Sequence, residues 1–483
     1  MNNISNLEPK RVFYYFEKIS GIPRGSGNTD AISNYLVSFA KEHNLSYVQE
    51  KIGNVIIYKP ASKGYENAET VILQGHMDMV CEKNADCSHD FLNDGINLVV
   101  DGDFLRADNT TLGGDDGIAL AYALAILEDD NIQHPALEAV FTVDEEVGMD
   151  GAIMLDETNL KGTQILNIDS EEEGILWSSC AGGLRCVSKV KLSYESVNEN
   201  YLAYKIRVSG LLGGHSGTEI DKGRINANCQ IGEILSLLQK DFKFLLTEIG
   251  GGMKDNAIPR EAYAVLLIDK KDEKNFIEKC NSIIESLKKQ HSVRESGLEI
   301  TLNSQSLSDK ALDEGTTNKC VMLLNMLPNG VVRMSADIDN LVETSLNIGV
   351  MRTEKEYFVL DISLRSSVSD AKEMLKEKVM YITESIGGTC ESFGDYPAWE
   401  FRKESKLREI FADVYTKLTG KKMEILALHA GLECGILTGK LKDADCVSFG
   451  PDIFDIHTPN EKMSISSVER TYNLLLEVLK NLK

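Results

Sequence analysis

Short apolar runs that break off into acidic residues or histidine recur along this chain, and segments of helical period separate them. Val71–Gln74 runs into Gly75-His76-Met77-Asp78, and Leu137–Val143 into Asp144-Glu145-Glu146. Gln164–Ile168 runs into Asp169, and Cys446–Phe449 into the loop holding His457. Runs this short, bounded by turn residues, read as strands. Helical spacing is clear at Val12, Phe13, Phe16 and Ile19, and again at Ile32, Leu36, Phe39 and Ala40. Strands at Asn54–Lys59 and a hairpin at Leu98–Arg106, turning at Asp101-Gly102, add to the pattern. A small-residue helix is expected over Gly117–Glu128. Alternating strands and helices require an α/β layer with a largely parallel or mixed sheet.

The character changes near Lys189. Alternating strands at Tyr201–Ser209 and Ala262–Asp269 enclose a helix over Arg224–Leu238, and a further helix covers Lys271–Gln290. A second passage of similar order runs from Glu299–Asn303 through a helix near Asn318–Leu327. It continues with strands at Ser345–Arg352 and Tyr357–Arg365 and a helix at Ala371–Ser385. Then α/β sequence resumes with a helix at Lys406–Leu418 and ends in an amphipathic helix at Ser466–Leu482. At 483 residues the chain exceeds one ordinary core. The expected organisation is therefore a split α/β domain, 1–188 and 394–483, with an α+β domain, 189–393, spliced into it. The inserted domain carries a suspected internal duplication.

Charge excludes some partners. The net charge of −24 contains no basic run, which argues against nucleic acid and anionic membranes, since both require concentrated Lys and Arg. No stretch of about 20 apolar residues is present, and the N-terminus has no apolar leader core, so a cytoplasmic location is expected. The ten cysteines are scattered with no C-x-x-C pair and read as free, mostly buried thiols.

Five places put polar groups where strands end or a helix begins. Each alone has an ordinary reading. Asp115 or Asp116, between glycines in TLGGDDGIALA, could cap a helix. Glu145-Glu146 and the Glu171–Glu173 run could be solvated turns, and His457 a loop histidine. Taken together they resist chance, because ligands in open α/β sheets bind beyond the carboxyl ends of the strands. His76 and Asp78 lie two apart and so share a strand face, which suits a metal-bound imidazole oriented by a carboxylate. Charge counting supports a pair of divalent ions. Asp115, Glu146 and Asp169 supply three negative charges, the neutral His76 and His457 none, and a shared hydroxide completes neutrality. If Asp115 bridges, one ion has His76, Asp115 and Asp169 and the other has Asp115, Glu146 and His457. Each keeps a fourth position for water. Adjacent strand residues point oppositely, so Glu145 is left to act as general base. Asp116 and Asp144 have no expected role beyond capping and solvation.

This ordered set resembles the M20 di-zinc metallopeptidases, and the match runs along essentially the whole chain. QGHMDMV, TTLGGDDGIALA, DEEVGMDGA, NIDSEEEG and GLLGGHSG stand together as in the branch that cleaves Xaa-His dipeptides. The resemblance implies the same ligand sets, two zinc ions for which cobalt or manganese can substitute, Asp78 as orienting carboxylate and Glu145 as base. It further implies a lid function for the inserted domain. There His215 would stabilise the oxyanion, while Asn256, Arg365 and the backbone of Gly431 would hold the substrate near its carboxylate. The lid would close over the substrate and expel water. The implied activity is hydrolysis of dipeptides, with deacylation of N-acyl amino acids or a non-catalytic binding role as alternatives. The quaternary state implied is a monomer or homodimer. Related dimeric enzymes borrow the lid histidine from a neighbouring subunit, and a duplicated lid would let His215 act within its own chain.

Overall fold

A computed structural model describes residues 4–483 and divides into two compact units. The first comprises residues up to Ser179 together with Phe401–Ala427 and Leu432–Lys483; the second comprises Cys180–Glu400 and Leu428–Gly431. The boundaries thus differ from the expected 188/189 and 393/394. Strand Gly182–Lys191 pairs along its length with Tyr357–Ser366, and Thr389–Tyr396 pairs with it in turn, so both belong to the inserted unit. Ala181 donates to the carbonyls of Leu428 and Ala430, which draws residues 428–431 out of the expected 394–483 segment.

In the first unit eight strands form one sheet. Its spatial order is Ser46–Gln49, Val55–Lys59, Leu137–Thr142, Val71–His76, Gln164–Asn167, Asp445–Ser448, Ile175–Cys180 and Glu424–Leu428. Four consecutive members, from Leu137–Thr142 to Asp445–Ser448, run parallel. Three of these, Leu137–Thr142, Val71–His76 and Gln164–Asn167, are buried at every residue, as parallel strands covered on both faces should be. Register brings His76 beside Thr142, Gln74 beside Asn167, and Asn167 beside Ser448. The carboxyl ends of all four strands therefore stop within two residues of one another. Helix Gly114–Glu128 packs on Val71–His76, and Ile118–Leu127 within it are buried all round. An all-apolar helix belongs in such a place. The hairpin Leu98–Asp101 and Phe104–Ala107 forms as expected and is joined by Lys462–Ser464 and Ile453–Phe454 in a small sheet.

In the second unit two halves of the same topology share one sheet. The first half runs strand Tyr201–Ser209, helix Ala227–Gln239, strands Phe244–Gly251 and Ala262–Asp269, helix Glu273–His291, strand Glu299–Gln305. The second runs strand Gly182–Lys191, helix Glu314–Met326, strands Val342–Thr353 and Tyr357–Ser366, helix Ser369–Ser385, strand Thr389–Tyr396. Each half is a split βαβ of four antiparallel strands in the spatial order fourth, first, third, second. Their second strands abut, and Gly251 pairs with Met351 across the join. The duplication is present, but its frame differs from the expected one. Glu299–Gln305 closes the first half rather than opening the second, whose opening strand lies before the whole first half. Element order along the chain hides this nesting; only strand pairing reveals it.

Candidate active site

Within the first unit the aligned strand ends bring together the chemistry-bearing residues. His76 is the last residue of Val71–His76 and is buried. Its Nδ1 faces Asp78, 3.4 Å from Oδ1 and 3.2 Å from the backbone carbonyl. That neighbourhood places the ring proton on Nδ1 and leaves the Nε2 lone pair outward. Nε2 lies 3.0 Å from Asp115 Oδ1 and 3.7 Å from Asp169 Oδ1. Asp115 turns its other oxygen to His457, at 3.2 Å from Nε2, and Glu146 Oε1 meets the same nitrogen at 3.1 Å. Asp115 thus spans the two histidines.

Lone pairs aimed at carboxylate oxygens need a positive charge between them. Without one, the protons must supply it: His457 is pushed up to about 11 by Asp115 and Glu146. His76 is raised too, as hydrogen bonds to Asp115, Asp169 and Asp78 overcome the burial that opposes its charge. Burial raises Glu145 well above the carboxylate range, with Asp169, Glu433 and Glu146 adding to it. Burial together with Asp115 and Asp169 lifts Glu171 to about 8. A cluster this rich in carboxylates, with two imidazole nitrogens pointing in, suits divalent cations. Ligand atoms of Asp115, Glu146 and His457 all lie within 4.8 Å of one another, as do those of His76, Asp116 and Asp169.

Asp116 is not the solvated cap expected. It is buried, its Oδ2 accepts the backbone N–H of His76 at 3.1 Å, and burial with Asp169 keeps its carboxyl high. It fixes the peptide of the histidine, whereas Asp115 offers oxygens to the ring nitrogens. Asp144 is half-buried and stands at the N-cap of the turn that follows: at φ 54° it ends the strand, and its Oδ1 accepts the Gly27 N–H at 2.6 Å. Because of that left-handed residue, Glu145 and Glu146 open a short helical turn, Glu145–Gly148, instead of continuing the strand. The strand-alternation argument for separating their roles fails. Asp78 instead holds both, with Oδ1 taking the N–H of Glu145 at 3.0 Å and Oδ2 that of Glu146 at 3.3 Å. Ser26 Oγ also donates to Oδ2, at 2.8 Å. The Glu171–Glu173 run is no free turn either, since Glu173 takes a bidentate pair from Arg470.

Glu433 carries no local sequence signal. It is fully buried, takes the Thr142 hydroxyl at 2.7 Å and the Gln74 amide, and burial pushes it up to about 7. Arg24 and Glu461 also escaped notice. An arginine in I-P-R-G and a glutamate in T-P-N-E carry no local signal, although the glycines of TLGGDDG hinted at crowded neighbours.

In the second unit His215, Arg365 and the His429 carbonyl gather around Gly217. A Cβ there would lie 3.0 Å from His215 Cε1, 3.2 Å from Arg365 Nε and 2.5 Å from the His429 carbonyl oxygen. His215 Nδ1 accepts the N–H of Thr218 at 3.2 Å and of Gly217 at 3.3 Å. Burial and Arg365 lower its pKa, so the neutral ring carries its proton on Nε2 as a donor. Asn256 is tied in through its carbonyl, which accepts from Ser216 at 2.9 Å, while Ala257 pairs with His215. Arg365 Nη1 donates to the Tyr396 hydroxyl at 2.8 Å, and a Cβ on Gly431 would meet that ring at 2.8 Å. His429, passed over in HAGLECG, meets Ser345 Oγ at 2.8 Å, and burial with Arg365 pushes it down to about 3.

This fold and cluster define a class: the model of peptidase family M20/M25/M40 matches residues 72–481, and the chain belongs to that family. Among particular relatives, it is 37% identical over 484 residues to the cytosol non-specific dipeptidase of Escherichia coli (strain K12), covering 100% of this chain and 99% of that one. It also matches the crystal structure of aminoacylhistidine dipeptidase from Vibrio alginolyticus, with TM-score 0.94, 35% identity and 99% and 98% of the two chains covered. Aminopeptidase PepT from Bacillus cereus shares the fold at 16% identity, with TM-score 0.61 over 99% of each chain. The family and fold class expected from the motifs are met.

Proposed function

We propose that this chain is a cytoplasmic metal-dependent dipeptidase that hydrolyses dipeptides, those ending in histidine among them. The observation that carries the reading is the run of close approaches from His457 through Asp115 to His76, with Glu146 beside His457 and Asp169 beside His76, near the carboxyl ends of the parallel strands. The full-length likeness to two dipeptidases supports the substrate class, and the relative named as cytosolic supports the location. His76, Asp115 and Asp169 would hold one ion and Asp115, Glu146 and His457 the other, with zinc as the first candidate and cobalt or manganese able to replace it. Such ions, when bound, polarise the scissile carbonyl and acidify water.

The chain's own groups do the rest. Asp78 orients His76 and fixes the backbone of Glu145. The Glu145 carboxylate takes a proton from the attacking water and passes it to the leaving amine. His215 offers Nε2–H to the carbonyl oxygen as it gains charge, and Arg365, Asn256 and the Gly431 backbone bind the substrate around its carboxylate. Metal analysis should return two ions per chain, and a panel should show dipeptides, Xaa-His included, turned over far faster than N-acyl amino acids. The opposite preference defeats the substrate assignment.

We further read His215 as acting within its own chain, which the paired halves of the second unit support. His215→Ala should cost roughly 10²–10³ in kcat. Mixing His215→Ala with Glu145→Ala protein should restore nothing; recovered activity would mean that the histidine crosses between subunits.

A further inference from the structure

The loop carrying the bridging aspartate is held by two groups that take no part in the cluster. The Glu461 carboxylate accepts the N–H groups of four successive residues: Oε2 from Leu112 at 2.7 Å and Gly113 at 3.1 Å, Oε1 from Gly114 at 2.8 Å and, more weakly, Asp115 at 3.5 Å. Glu461 is buried and stands in the loop that also carries His457. On the other side lies Arg24, the largest of the fully buried side chains. Its Nη1 donates to the carbonyls of Met77 at 3.0 Å and Asp78 at 2.9 Å, and its Nη2 to that of Gly113. One guanidinium thereby pins the His76–Asp78 strand exit to the Asp115 loop. The glycines make room for it. A Cβ on Gly113 or on Gly117 would come within 2.5 Å of Nη2, and Gly113 also requires a φ of +67°.

We infer that Arg24 and Glu461 are positioning residues, a clamp that sets the distance between His76, Asp115 and His457 and thereby the fit of the two ions. This rests on the ligand assignment proposed above. A buried charge is costly unless its hydrogen bonds are met, so a merely structural role could be filled more cheaply by apolar packing. What the charged pair adds is direction: a planar fork across three carbonyls, and two oxygens shared among consecutive amides. Glu461→Gln keeps the volume but turns an NH2 toward N–H donors. Arg24→Lys keeps the charge but cannot span the two segments.

The experiment is cobalt(II) titration of metal-stripped protein, read by visible absorption and chelator competition, with melting of the metal-free proteins alongside. Tyr122→Phe, which removes a buried hydrogen bond to the Val468 carbonyl and none to Arg24 or Glu461, serves as a stability control. Both clamp variants should fold without metal, bind cobalt 10- to 100-fold more weakly and show altered bands, with kcat reduced and KM little changed. Tyr122→Phe should lower the melting temperature and leave cobalt binding as in the wild type. Cobalt affinity and spectra that stay wild-type in the clamp variants overturn the inference, as does failure of either to fold. Should the wild type bind fewer than two cobalt ions, or His76→Ala keep both, the ligand assignment fails instead.

Discussion

Glu145→Ala is expected to lower kcat on the order of 10³-fold while both metal ions stay bound. The geometry argues for this separation. Asp115, Glu146 and Asp169 make ion pairs with the imidazole nitrogens of His76 and His457; Glu145 makes none among the described residues, and its ligand atom lies within 4.8 Å of those of His76 and Glu146. Burial, with Asp169, Glu433 and Glu146 adding to it, raises the proton affinity of Glu145. Because Asp78 holds the Glu145 backbone, removing the side chain leaves the turn and Glu146 in place. Pre-steady-state kinetics with metal content measured on the same samples decides the matter. Loss of the ions along with turnover would make Glu145 a ligand.

Stripping the metal should abolish turnover and lower the melting temperature by on the order of 10 °C, with cobalt or manganese restoring both. Even one of the two ions, present at a thousand times its Kd, stabilises the folded state by about 4 kcal/mol, and in a domain of this size about 2–4 °C accompanies each kcal/mol. The cluster explains the sign. With the ions gone, carboxylates confront one another in a buried place, and protons on His76 and His457 are the substitute countercharge. Scanning calorimetry with and without chelator measures the shift. A melting temperature that does not move would mean the ions do not tie the strand exits together.

Much of this was legible before any coordinates. The parallel strands announced themselves because both faces are buried and their apolar runs are unbroken, and the cluster because strands must stop where ligands bind. Illegible parts share a cause: contacts between segments far apart in sequence. Arg24 reaches Gly113, and Glu461 reaches Leu112, across intervals that no local pattern marks. Asp116 and Asp144 looked like surface acids because their hydrogen-bond partners, His76 and Gly27, lie in other elements. The turn at Glu145 was misread as strand because a non-glycine residue, Asp144, adopts the left-handed conformation that ends it. In the second unit the element order was clear but its nesting was not, since strand pairing, not sequence order, defines each half.

That nesting has a consequence of its own. A symmetric pair of identical subunits must present every side chain twice, needed or not. Two sister halves on a single polypeptide are free to specialise. Here His215 comes from a two-residue strand and Asn256 from a turn of one half, while Arg365 and Tyr396 come from strands of the other, so neither half repeats the other's set.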